Sequence, residues 1–138
     1  VLGSDLAIQV AMSGSGQMQK NGPGRLILNA TANSSAWSGG WLINQGTLMP
    51  DGNSTKTGSG TVVMENNTTF TTSTSSLIFN NPFTINGNVN FQTQANNSVV
   101  LTLGGTLSLG NATRTLNIGA NSTNVVTRCR QHQHFPEH

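Results

Sequence analysis

The chain has 138 residues, enough for one domain with a modest core. Asn, Thr, Ser and Gly account for 66 of them and only 7% are charged, against about 25% in ordinary soluble domains. The net charge of +2 reflects a scarcity of acids rather than a basic face, which leaves no electrostatic footprint for nucleic acid; one cysteine excludes an internal disulfide framework.

In chain order, the opening "VLGSDLAIQV" has neither a basic n-region nor a cleavage site, so it reads as a processed start or an internal piece of a longer chain. Short apolar-x-apolar units then recur: Leu6/Ile8/Val10/Met12, Leu26/Leu28, Leu77/Phe79, Phe83/Ile85, Val89/Phe91, Leu101/Leu103, Leu107/Leu109 and Leu116/Ile118. A period of two puts both members of each pair on one strand face, and no 3.6-residue period persists long enough for a helix. Asn-Gly, Gly-Gly, Gly-Asn and Asn-Asn lie between the units and suit corners. The expected class is all-β, built from very short strands.

Two stretches share a motif. Residues 20–28 read "KNGPGRLIL" and residues 56–64 read "KTGSGTVVM", each Lys-x-Gly-x-Gly-x followed by apolar residues, 36 positions apart. A fixed period in this range marks a repeat architecture. A solenoid fits, because stacked coils bury each apolar pair against the next coil, and uncharged Asn, Ser and Thr stack without like-charge repulsion. The repeated motif is expected at equivalent corners of successive coils. "FTINGNVNF" (residues 83–91) taken alone reads as a hairpin around Asn86-Gly87; the repeat favours a solenoid corner instead.

Residues 18–48, "MQKNGPGRLILNATANSSAWSGGWLINQGTL", resemble a passenger-associated repeat of bacterial autotransporters. Met18, Lys20, Gly22, Gly24, Leu26 and Leu28 match its first half. Trp37, Gly39, Gly40, Ile43, Gly46 and Leu48 match its second, with Trp37 where the family usually has tyrosine. Lys56, Gly58 and Gly60 begin a degenerate second copy over 56–64. The resemblance implies a right-handed parallel β-helix, carried over residues 1–127 as a passenger segment. It further implies secretion to the bacterial cell surface, anchored at the outer membrane or released, with a C-terminal translocator barrel elsewhere in the full-length chain. The implied role is structural and adhesive, supporting passenger export and surface display.

The candidate chemistry is sparse. The acids Asp5, Asp51, Glu65 and Glu137 stand far apart, although paired coils would let Asp51 and Glu65 approach. The expectation is a non-catalytic chain without cofactor or metal; the alternative is a carbohydrate-binding or carbohydrate-processing β-helix. Lys20 and Lys56 are expected as solvated corner lysines. Trp37 is assigned to the core, and Trp41 is the one candidate glycan contact, since exposed tryptophans stack on sugar rings. A host-cell or glycan surface is the expected partner, with end-to-end self-association through open coil ends. The tail 128–138 carries Cys129, His132, His134 and His138 in a spacing that matches no established zinc module, and is expected to be disordered.

Overall fold

The structure is a computed structural model, and it describes residues 4–29, 34–72, 76–94 and 99–121. The strands are β1 (Asp5–Ile8), β2 (Met18–Lys20), β3 (Arg25–Leu28), β4 (Trp41–Ile43), β5 (Thr47–Pro50), β6 (Val62–Met64), β7 (Thr69–Thr71), β8 (Leu77–Phe79), β9 (Phe83–Ile85), β10 (Val89–Gln94), β11 (Leu101–Leu103), β12 (Leu107–Ser108) and β13 (Leu116–Asn121). One 3-10 helix, Ser54–Thr57, lies between β5 and β6. The tail beyond residue 121, with its cysteine and histidines, lies outside the described residues.

Every ladder is parallel. The first sheet has the order β1-β3-β5-β7-β10-β13 and the second β12-β9-β6-β4-β2. A third side is made by the Gly14–Trp37 bridge, the 3-10 helix and the β8–β11 pair. The chain passes from first sheet to third side to second sheet and back, giving a parallel β-solenoid. From Arg25 to Thr47, and from Thr47 to Thr69, one coil takes about 22 residues. Asn86-Gly87 joins β9 of the second sheet to β10 of the first, so it is a corner and not a hairpin turn.

The period-two pattern builds the core as columns. Leu6, Leu26, Leu48, Phe70, Phe91 and Ile118 share one register position along the first sheet. Met18, Trp41, Val62, Phe83 and Leu107 share one along the second. Columns from the three sides meet on the axis, where Phe70 packs edge to face on Phe79 and Phe83 at centroid distances of 5.0 and 5.2 Å. Each such buried side chain contributes about 1.5–3 kcal/mol relative to exposure. Leu26, Leu28 and Leu48 are buried as the inward stripe requires. Leu107 and Leu109 are 44% and 38% exposed, because β12 is the edge strand of its sheet and no further coil covers it among the described residues.

Polar columns run outside the core. Asn90 donates to Thr69 Oγ1 at 3.3 Å, and Asn117 donates to Asn90 Oδ1 at 3.2 Å, one coil apart each time. Asn44 and Asn86 do the same at the corner leading into the first sheet, donating to Asn21 Oδ1 at 2.8 Å and to Glu65 Oε2 at 2.7 Å. Uncharged amides can both donate and accept, so identical residues satisfy one another in a stack. That accounts for the asparagine-rich, charge-poor composition.

Candidate functional site: the repeat corners

The corner between β2 and β3 is organised by a lysine that points inward. Lys20 shares its register position with Ile43, Met64 and Ile85, which are all fully buried. Only 8% of Lys20 is exposed. Its stem runs along the core, and its Nζ donates to the carbonyls of Asn21, Gly22 and Gln45 at 3.2, 2.8 and 3.0 Å. Removal from water pushes its pKa below the ordinary lysine value. Gln45, one coil on, completes the corner by accepting the Gly22 N–H on Oε1 at 3.1 Å. Gly46 has φ +79, and a Cβ there would meet the carbonyls of Gly22 and Gly24 and Lys20 Nζ, so no other residue fits.

The second motif copy reaches the same end by different donors. Lys56 sits in the 3-10 helix, is 7% exposed and donates from Nζ to the Asp51 carbonyl. The carbonyls of Gly58 and Gly60 are taken by Asn81 Nδ2 at 3.0 and 2.8 Å. Asn81 Oδ1 in turn accepts the Thr57 hydroxyl at 3.0 Å. Asn81 is 4% exposed and Thr57 fully buried. Neither carries a sequence signal beyond an ordinary Asn-Pro turn and a threonine, so reasoning from sequence missed both.

The two copies occupy different corners. Lys20-to-Gly24 leads into β3 of the first sheet, whereas Lys56-to-Gly60 leads into β6 of the second. The expectation of equivalent corners is therefore corrected. A spacing of 36 residues is about one and two-thirds turns of a three-sided coil of about 22 residues, which moves the motif from one side to another. The solvated-lysine expectation is corrected as well: both lysines are buried, because glycine corners leave carbonyls that no backbone N–H reaches.

The tryptophans are interior. Trp37 is 3% exposed and its indole N–H donates to the Gly16 carbonyl at 2.9 Å. Trp41 has no exposed surface, and its indole N–H donates to the Thr57 carbonyl at 3.3 Å. The glycan contact assigned to Trp41 needs an exposed ring and is corrected: Trp41 shares its column with Met18 and Val62 inside the coil. Between the tryptophans, Gly39 lies against the Gly16 carbonyl, and Gly40 has φ +77 with the Thr61 carbonyl where a Cβ would stand. Ile43 follows on the inner face of β4, and Leu48 on that of β5.

Charge is confined to a few surface positions. Arg25 Nη2 donates to Asp5 Oδ2 at 2.6 Å, and this bond holds the Asp5 carboxyl below its usual range. Both partners are open to solvent, so the pair contributes little to stability. Asp51 follows β5 and Glu65 follows β6, so the two acids sit at different corners. Among the described residues no three His, Cys, Asp or Glu side chains gather as a metal-holding group. Two cavities open at the two ends of the solenoid. One, of about 430 Å³, is lined by Phe91, Leu101, Leu103, Leu116 and Ile118; the other, of about 500 Å³, by Leu6, Ile8, Met18 and Leu26.

A family model described as passenger-associated-transport-repeat matches residues 18–49 and 55–75. The two matched segments are similar to that repeat, and they take in both lysine–glycine corners, both tryptophans and the six strands β2 to β7, of which β5 runs one residue past the first match. Neither the curated proteins nor the solved structures gave a match.

Proposed function

We propose, from two segments similar to a passenger-associated transport repeat and folded into one continuous coil, that this chain is a structural segment of an autotransporter passenger, displayed at a bacterial cell surface or released from it. The observation that carries the proposal is the use made of the repeat residues. Lys20, Gly22, Trp37, Gly40, Trp41 and Gly46 serve corners and core, and the outer columns are neutral amides and hydroxyls apart from the Asp5–Arg25 pair and Glu65. A coil of this kind acts as a rigid spacer: each turn templates the next, and the outer face can vary without disturbing the stack. Stepwise stacking also suits export, since each coil that leaves a translocator barrel folds on the one before it and hinders retreat. In this reading the chain is non-catalytic; adhesion to a host-cell or glycan surface belongs to its outward columns, and end-to-end self-association to its open coil ends.

The test places residues 4–121 between a signal peptide and a translocator barrel, and measures surface exposure by protease accessibility on intact cells. Efficient display that falls when residues 18–75 are replaced by a flexible linker of equal length supports an export role. Equal display of the linker version removes it.

A further inference from the structure

Two corners of the coil carry an Asn-Gly pair on the path from the second sheet to the first: Asn21-Gly22 and Asn86-Gly87. Such pairs lose the side-chain amide spontaneously when the glycine nitrogen reaches the asparagine Cγ, because glycine puts no side chain in the way. Gly22 is half-buried, with φ +85 and open space at its Cβ position, whereas Gly87 is buried against Asn66; the two pairs also differ in their hydrogen bonds. The Gly22 N–H is bonded to Gln45 Oε1 at 3.1 Å, and Asn21 Oδ1 is held by the Asn44 amide at 2.8 Å. Among the described residues the Gly87 N–H has no acceptor, and Asn86 is exposed. Asn86 holds only one side-chain bond, from Nδ2 to Glu65 Oε2 at 2.7 Å.

We propose that Asn86 is a site of spontaneous deamidation, and that its conversion to a carboxylate loosens the corner it shares with Glu65. The Gly87 nitrogen gives its proton to water and forms a bond to Asn86 Cγ. The Cγ–Nδ2 bond breaks and the nitrogen takes up a proton from water and departs as ammonia, leaving a five-membered succinimide. Water then opens the ring. Breaking the new N–Cγ bond gives aspartate; breaking the original peptide bond gives isoaspartate. No oxidant or reductant takes part, and the exposed Asn86 lets ammonia leave and water enter.

The product changes the stack in a defined way. A carboxylate replaces the amide that donated to Glu65 Oε2, so two acids face each other at hydrogen-bonding distance. One of them is then driven to take up a proton, and its pKa rises in the folded state only. Because the folded state binds the extra proton, stability of the modified chain falls as pH rises through the carboxylate range and is regained on acidification. Isoaspartate additionally lengthens the backbone at a corner where Gly87 is packed against Asn66.

The experiment incubates the folded chain at mildly alkaline pH and follows each Asn-Gly peptide by digestion and mass spectrometry. The expected result is at least severalfold faster loss of amide at Asn86 than at Asn21. Equal rates, or faster loss at Asn21, overturn the proposal. A second variant tests the cause: Gln45→Ala frees the Gly22 N–H and should raise the rate at Asn21 relative to Asn86 in the same molecule, so that general loosening cancels. An unchanged ratio overturns the assignment of protection to that bond. Asn86→Asp should melt below the parent chain at neutral pH and approach it at acidic pH; a constant difference overturns the proposed clash with Glu65.

Discussion

Trp37 and Trp41 meet edge to face across Gly39-Gly40, with ring centroids 4.9 Å apart and planes at 88°. The pair closes the core of the second coil at the point where the chain turns from its third side into β4. Each ring also finds a backbone carbonyl for its N–H, so neither leaves a buried donor unmet. Trp41→Ala should therefore cost about 3–5 kcal/mol, a large part of the stability of a domain this size. Intrinsic fluorescence should be blue-shifted and resistant to a polar quencher in the parent chain, and red-shifted in Trp41→Ala. Ready quenching of both tryptophans in the folded parent would contradict the burial.

Lys20 sits in a column of apolar residues and satisfies three carbonyls. Lys20→Ala removes both packing and donors and should cost about 1–3 kcal/mol by thermal melting. Lys20→Met keeps the stem in the column and should cost less. The sign with pH follows from the depressed pKa. The folded state binds fewer protons than the unfolded chain between the lowered value and the ordinary lysine value, so stability attributable to Lys20 rises with pH across that window. The parent chain should gain on Lys20→Met through the alkaline range, and parallel pH profiles would refute the assignment.

Gly40→Ala tests the corner backbone. A left-handed residue with a carbonyl occupying the Cβ position cannot be accommodated by local adjustment. A loss of more than about 2 kcal/mol is expected by denaturant titration. Gly14→Ala is the control: it also has positive φ, but nothing lies within 4 Å of the added Cβ, so its cost should be smaller.

Asn81→Ala should strand the Gly58 and Gly60 carbonyls together and leave the Thr57 hydroxyl only its bond to the Ser54 carbonyl. The expected cost is about 2–4 kcal/mol, since unmet buried groups are more expensive than the bonds that served them. Amide hydrogen exchange should accelerate first around residues 57–62, the segment those bonds secure. Uniform acceleration along the chain would point instead to a global effect without a local role.

A charge placed on the inward stripe should matter according to coil position. Leu48→Asp buries a carboxylate at a site with no exposed surface and should cost more than about 4 kcal/mol, which leaves little folded chain. Leu107→Asp lies on an edge strand at 44% exposure and should cost a small fraction of that. Equal melting temperatures for the two variants would show that the columns are assigned wrongly.

Much of the coil was legible from residue pattern. The pairs Leu6/Ile8, Leu26/Leu28, Leu77/Phe79, Phe83/Ile85, Val89/Phe91, Leu101/Leu103 and Leu116/Ile118 each fall on a strand. The strands at Met18–Lys20, Trp41–Ile43 and Thr69–Thr71 were less legible, because lysine and an isolated tryptophan fill inward positions in the first two, and the third has a single inward apolar residue, Phe70, between threonines. Inward lysine is invisible to a hydrophobic pattern: its long stem is apolar, and only the surrounding carbonyls make its charge acceptable inside.

The sequence by itself determined the class of fold, the period-two strands, the corner residues and the resemblance of residues 18–48 to a passenger repeat. Those are local properties, set by alternation over three or four residues and by glycine at positions that only glycine can occupy. Tertiary structure alone decided which side of the coil each motif copy occupies, and that Lys20, Lys56 and Trp41 face inward. Only stacking also paired Asn81 with a glycine corner 21 residues away. These depend on the number of residues per coil and on where carbonyls from neighbouring turns converge. Both emerge when the columns pack, and neither is written in any single stretch of chain.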